Sequence, residues 1–321
     1  MENKPTHILI ENFTTESGAL YSGINLSFEV FGPTLHSAPI VLVNHALTGN
    51  STVTGTNGWW NDLIGDNKTI DTQKYTVLAF NVPGNGYDET LLDNYSDFTA
   101  RDIARLFLEG IRFLGINKLF AIIGGSVGGG IAWEMLAIKP EITQHLIPIA
   151  TDWKSTDWLI ANCFVQEQIL NNSSKPIEDA RSHAMLCYRT PESFKEKFNR
   201  TVNKEKNIFN IESWLIHHGD KLQSRFQLSS YKLMNQLLRT IDITRNRMCS
   251  FEDLISKTEA HVHIIGINSD LFFTVNENRE TYEQLKKMNK KVSYGEIDSI
   301  HGHDAFLIEY KQLDKLLADI F

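Results

Sequence analysis

Short, β-branched apolar runs that alternate with longer amphipathic segments leave few architectures open, because strands buried on both faces need a covering layer on each side. Ile40-Val41-Leu42-Val43, Tyr75-Thr76-Val77-Leu78-Ala79-Phe80 and Leu119-Phe120-Ala121-Ile122-Ile123 are such runs, each ending at a turn with Gly or Asn. They predict buried, mostly parallel strands. Between the last two, residues 98–114 carry Ile103, Leu106, Phe107, Ile111 and Leu114 at helical spacing, a crossover helix that Gly115 would end. The alternation breaks near residue 150. From there to about 255 strand-like runs are few, and residues 176–189, 212–226 and 229–241 read as helices. Strand character returns at residues 261–267 and 292–297, with helices expected over 281–288 and 305–320. The expectation is an α/β core over 1–150 and 256–321, interrupted by a helical lid over 151–255. The region up to Phe31 reads less clearly and is a candidate for antiparallel edge strands.

Directly after the third run comes Gly124-Gly125-Ser126-Val127-Gly128, then Gly129-Gly130 and a helix-forming stretch over 131–137. Strand, G-x-S-x-G, helix is the context in which a serine is held on a strained turn with its hydroxyl at a helix N-terminus. The flanking glycines remove side chains that would clash there. The Gly-x-x-x-x-Gly-Lys pattern of a phosphate-binding loop is absent. Ser126 is therefore the candidate nucleophile of an α/β-hydrolase fold with a mostly parallel central sheet and an inserted helical lid.

In that fold the acid and then the base follow the nucleophile along the chain. Asp270 lies just past the run at 261–267, where a loop carboxylate can orient an imidazole, with Asp298 and Asp304 as weaker rivals. His303 follows the run at 292–297 and is favoured over His301 as the base. The oxyanion formed by attack on an acyl carbonyl needs two backbone N–H donors. Val127, after the nucleophile, supplies one, and Leu47 in Asn44-His45-Ala46-Leu47-Thr48-Gly49 is the better candidate for the other.

His301-x-His303 has no evident third metal ligand. His261-x-His263 points both rings to one face of a strand, where structural roles are expected, and His217 and His218 read as ordinary helix residues. Cys163, Cys187 and Cys249 lack disulfide or zinc spacing and read as reduced thiols. A net charge of −8 without a basic tract argues against nucleic acid. No apolar run nears the roughly 20 residues that span a bilayer. The first residues lack a basic start and an apolar stretch, so a cytoplasmic protein is expected.

Taken together, these segments resemble the homoserine O-acetyltransferases. The likeness runs through His45-Ala46-Leu47-Thr48-Gly49, Gly58-Trp59-Trp60 with Leu63-Ile64-Gly65, Asp71-Thr72 with Tyr75, Asn81-Val82, and Gly124 to Gly129. It continues through Ser269-Asp270-Leu271-Phe272 and Gly302-His303-Asp304-Ala305-Phe306, and so spans most of residues 40–310. Residues 219–226 with Ser230-Tyr231 are similar to the family's lid segment. The resemblance implies acetyl transfer from acetyl-CoA to L-homoserine through acyl-Ser126, with no bound cofactor or metal and a homodimer joined through lid helices. It also implies that Arg225, Tyr231 and Asp304 bind the amino-acid substrate, a carboxylate suiting an Arg and an ammonium an Asp. Departures are Pro83-Gly84-Asn85-Gly86-Tyr87, where a Gly-Gly-Cys-like stretch is usual, and Val127, where methionine is usual. Alternatives are transfer from succinyl-CoA or to serine, a plain esterase, or a non-enzymatic binding protein, which would need a broken triad. Because residues 46–49 and 126–129 offer no Arg or Lys, acetyl-CoA is the expected donor.

Overall fold

The computed structural model describes residues 5–92 and 94–321. The chain opens with β1 (Thr6–Thr14) and β2 (Leu20–Phe31), followed by β3 (Ile40–Asn44), the short pair β4 (Ile64–Gly65) and β5 (Ile70–Asp71), and β6 (Thr76–Phe80). Next come α1 (Ala100–Phe113), β7 (Leu119–Gly125), α2 (Val127–Ile138) and β8 (Thr143–Ile149). A largely helical stretch follows: α3 (Asp157–Asn172), α4 (Pro176–Tyr188), α5 (Pro191–Phe198), a hairpin of β9 (Val202–Asn203) and β10 (Ile208–Phe209), α6 (Asn210–Gln223), α7 (Leu228–Arg239) and α8 (Phe251–Ile255). The chain closes with β11 (His261–Ile267), α9 (Val275–Lys287), β12 (Val292–Ile297) and α10 (Tyr310–Leu317).

Eight strands form one sheet in the order β1-β2-β6-β3-β7-β8-β11-β12. The first two pair antiparallel with each other, and β2 pairs antiparallel with β6; every later pairing is parallel. The N-terminal region thus forms the antiparallel edge. One apolar layer, with Leu42, Ile122 and Leu146 facing α1 and α2, covers one side of the sheet, and a second, with Val43, Ile123 and Ile147, covers the other. In an open parallel sheet the crevice lies beyond the carboxyl ends of the strands. Ser126, Asp270 and His303 all follow such ends, those of β7, β11 and β12.

Local chemistry explains the helix starts. Thr99 caps α1 and is answered by Asp102 in a reciprocal capping box, while Thr156 and Thr190 cap α3 and α5. Other boundaries differ from the sequence expectation. β8 shows no clear signal because His145 and Pro148 interrupt its apolar run. Its pairing with β11 holds at His145 and Leu146 and resumes at Ile149, so the ladder is open where Pro148 has no N–H to donate. Helix α9 starts at Val275 rather than 281. The segment expected as one closing helix divides into a 3-10 turn over Gly302–Leu307, which carries His303, and α10.

A buried ion pair ties the nucleophile's helix to its surroundings. Glu134 on α2 is fully buried and accepts from Arg101 Nε on α1 at 2.9 Å. The same guanidinium reaches Glu16 at 2.6 Å and the carbonyls of Arg245 and Asp242 at 2.6 and 2.8 Å. Removing one partner of such a pair leaves an uncompensated charge, which costs about 3 kcal/mol or more. Arg101→Met is therefore expected to lower the urea midpoint strongly, and Arg101→Met/Glu134→Leu to recover much of the loss. Equal destabilisation in the single and double variants would show that packing, rather than charge, carries the effect.

Candidate active site

Ser126 sits between β7 and α2 at φ +56° and ψ −130°, a conformation that side-chain-bearing residues rarely adopt. The sequence around it permits this turn by leaving out side chains. A Cβ on Gly124 would lie 2.5 Å from the Gly128 carbonyl carbon, and one on Gly128 would lie 2.4 Å from the Asn44 oxygen. The elbow is thus closed on itself and against the exit of β3. Ser126 N donates to Ile149 O of β8 at 2.9 Å, which fixes the turn to the neighbouring strand. Val127 is the first residue of α2, where an N–H has no intrahelical acceptor. Leu47 is buried in the β3 exit loop, whose turn is closed by Gly49 N donating to Ala46 O at 2.9 Å.

His303 Nδ1 lies 2.7 Å from Asp270 Oδ2, with both side chains almost fully buried. The other oxygen of Asp270 accepts from the Phe272 and Phe273 amides at 2.6 and 3.1 Å, so the carboxylate is held on both sides. A carboxylate at Nδ1 holds the proton there and leaves Nε2 as the free base. Around the imidazole stand Phe272, Tyr188, Phe306 and Phe273, with ring centroids 5.1 to 5.9 Å away. Phe306 also fills the space beside the elbow, since a Cβ on Gly125 would lie 2.5 Å from its ring. The turn bearing His303 therefore abuts the residue preceding Ser126. Of the rival residues, Asp298 is exposed and accepts from Asn268, and His301 Nδ1 meets Ser193 Oγ of α5 at 3.0 Å.

The helical stretch between β8 and β11 touches each of these loops. Arg225 Nη1 donates to Thr48 O beside Leu47 at 3.0 Å, and Trp158 Nε1 donates to Leu271 O beside Asp270 at 2.6 Å. Arg189 Nε donates to Asp304 Oδ2 beside His303 at 3.0 Å, so Asp304 already faces a cation. Tyr231 is buried on α7, and its hydroxyl has no hydrogen-bond partner among the described residues. Burial pushes that phenol up to about 12. The divergent turn at 83–87 packs on the same helix: a Cβ on Gly84 would lie 2.9 Å from Leu233 Cδ2, and one on Gly86 2.9 Å from Ser230 Oγ.

Two residues that sequence reasoning missed belong here. Arg181 of α4 lies over the Tyr188 ring at 5.6 Å, and no carboxylate among the described residues is within ion-pair distance of it. Desolvation, and then the charge of Arg181, hold the Arg225 guanidinium below its ordinary value. His45 is buried; its Nε2 accepts from Val82 N at 3.0 Å, and its Nδ1 meets Ala46 O at 2.8 Å. A neutral ring with its proton on Nδ1 satisfies both contacts and ties the Leu47 loop to the turn after β6. Desolvation lowers its pKa to about 4. A buried imidazole so close to Leu47 reads from sequence as part of a motif, but its partners are fixed only by the fold.

A serine on a strand-turn-helix elbow, with an aspartate-held imidazole delivered by later strands of the same parallel sheet, defines the serine-nucleophile α/β hydrolases. The chain matches the alpha/beta hydrolase fold family over residues 39–310. A homoserine O-acetyltransferase of Cyclobacterium marinum is 33% identical, over 97% of this chain and 93% of its own. One from Methanococcus vannielii is 32% identical, over 98% of this chain and 72% of its own. This chain belongs to the homoserine O-acetyltransferase family within the α/β hydrolases. A solved homoserine O-acetyltransferase from Bacillus anthracis superposes with a TM-score of 0.89 at 20% identity, covering 99% of this chain and 97% of that one. The acetyl esterase MekB superposes at 0.84 with 18% identity, covering 99% and 96%, so the fold is common to transferases and esterases.

The state of His45 leads to a pH prediction. A folded pKa of about 4 against an ordinary 6.5 means that the unfolded chain binds the proton more readily. Its contribution is present in full above pH 6.5 and is lost as pH falls through 4, amounting to about 3 kcal/mol. His218 and His263, lowered to about 4 and about 3 by burial, act in the same direction. His45→Gln is expected to be less stable at pH 7 and to show a shallower fall in urea stability between pH 6.5 and 4. A slope equal to the wild type's would mean that His45 does not titrate in this way.

Proposed function

We propose that this chain transfers an acetyl group from acetyl-CoA to the hydroxyl of L-homoserine by a ping-pong route through acyl-Ser126. Ser126 Oγ attacks the thioester carbonyl as His303 Nε2 takes its proton, and Asp270 stabilises the imidazolium at Nδ1. The Val127 and Leu47 amides hold the oxyanion of the tetrahedral intermediate. Its collapse breaks the C–S bond, and the imidazolium returns the proton to the departing CoA thiolate. The homoserine hydroxyl then gives its proton to His303 and attacks the acyl-serine, releasing the O-acetyl ester and restoring Ser126.

Arg225 is assigned to the substrate carboxylate, Tyr231 to the same pocket through its unpaired hydroxyl, and Asp304 to the ammonium. The ion pair of Asp304 with Arg189 means that an incoming ammonium shares or displaces the guanidinium. One observation carries transfer over hydrolysis: the kinship to homoserine O-acetyltransferases at about a third identity across nearly the whole chain, against a likeness to esterases in fold alone. Burial of Ser126 and His303 beneath the helical stretch accords with it, since an acyl-enzyme that passes its group to an alcohol must exclude water. We further infer that residues 151–255 act as the lid, that two copies pair through its helices, and that the protein works in the cytoplasm.

Arg181 is a cation that the sequence reading did not place near the site, so a lack of positive charge no longer disfavours a succinyl group. Acetyl-CoA rests instead on the relatives' activity. It is expected to give a kcat/KM at least tenfold above that of succinyl-CoA with homoserine as acceptor. A succinyl-CoA value equal or higher would contradict this, and its loss in Arg181→Ala would identify the residue responsible.

Ser126→Ala is expected to keep the fold and to lose homoserine-dependent CoA release by roughly a thousandfold or more. The readout is free thiol together with O-acetylhomoserine. Acetate as the main wild-type product would identify an esterase, and near-normal turnover in the variant would remove Ser126 from the mechanism.

A further inference from the structure

Three histidines meet at the end of the sheet away from the candidate active site. Parallel register sets His145 of β8 against His261 of β11, and His263 of β11 against Ser293 of β12. His145 Nδ1 lies 3.0 Å from His263 Nε2, and one ring nitrogen from each of the three residues falls within 4.8 Å of the others. His145 and His261 are partly exposed, and His263 is buried. Four residue steps along β11, about 13 Å of strand, separate His263 from Ile267, beyond which Asp270 lies.

We propose that His145, His261 and His263 form a binding site for a divalent transition-metal cation of the zinc type. His263 Nδ1 meets Ser293 Oγ at 2.7 Å. With its proton donated to that hydroxyl, Nε2 presents a lone pair toward His145, the outer-shell arrangement that orients metal-bound imidazoles. Ligand nitrogens about 2.0 to 2.1 Å from a tetrahedral ion stand roughly 3.3 Å apart. The present spacing brackets that value, so rotation of the two partly exposed rings brings the three nitrogens onto one ion. On binding, the proton that His145 Nδ1 shares with His263 Nε2 moves through solvent to His145 Nε2, so that both rings stay neutral, and water completes the coordination. An all-imidazole donor set favours zinc, nickel or copper over magnesium or calcium. The position joins two central strands, so the ion would stabilise the sheet without touching the acyl chemistry.

The test uses the full chain, stripped with a chelator and dialysed against Zn²⁺ at neutral pH, with bound metal measured by elemental analysis. One equivalent is expected, together with a thermal midpoint a few degrees above that of the stripped protein. His145→Gln, a partly exposed position, and His263→Gln are each expected to weaken Zn²⁺ binding at least tenfold while retaining CoA release and a native circular dichroism spectrum. No retained zinc, or undiminished binding in the His145→Gln/His261→Gln/His263→Gln variant, would overturn the proposal. His217→Gln serves as a control and should retain the full equivalent.

Discussion

A serine at positive φ between a strand and a helix stores about 1 to 3 kcal/mol of backbone strain, which persists only if its surroundings leave it no alternative. Here the constraint is steric. Gly124 and Gly128 touch across the turn, Gly128 presses on the exit of β3, and Gly125 presses on Phe306. Each contact also sets a neighbouring component. The contact of Gly128 brings the Leu47 loop beside the start of α2, and that of Gly125 brings the His303 turn beside Ser126. The geometry of the site thus follows from one tight turn and from the side chains that are missing around it.

The helical stretch inserted after β8 takes part in the same assembly. It meets the Leu47 loop through Arg225 and Thr48, the Asp270 loop through Trp158 and Leu271, and the His303 turn through Arg189 and Asp304. Single hydrogen bonds at the rim of a site are individually modest, about 1 kcal/mol each. Their distribution matters more, since one helical unit touches all three loops and any movement of it is felt by each. Fold comparison alone does not separate a transferase from an esterase, because solved proteins of both kinds superpose on this chain.

The parts of the site legible in the sequence were those set by local strings. Gly124 to Gly128 reads as an elbow because its strain has a local remedy, and Asp270 and His303 read as partners because each follows a strand-like run. Features that depend on through-space packing were hidden. β8 escaped notice because Pro148 and His145 break its apolar pattern, although it lies between β7, which ends at the elbow, and β11, which leads to Asp270. Arg181 looked like any helical arginine until the end of α4 placed the Tyr188 ring beside His303, and His145 had no visible connection with His261 until the strands were registered. The division of the last helix was missed because the turn carrying His303 is shaped by tertiary contacts, not by helical periodicity.

Ser126 is proposed to carry the acyl group between two substrates. Mixing the protein with acetyl-CoA in the absence of homoserine, quenching in acid and mapping peptides by mass spectrometry tests it directly. A mass gain of one acetyl group is expected on the peptide containing Ser126, discharged when homoserine is added before the quench. An unmodified Ser126 peptide under conditions that support turnover, or an acetyl group on another residue that homoserine discharges, would contradict it.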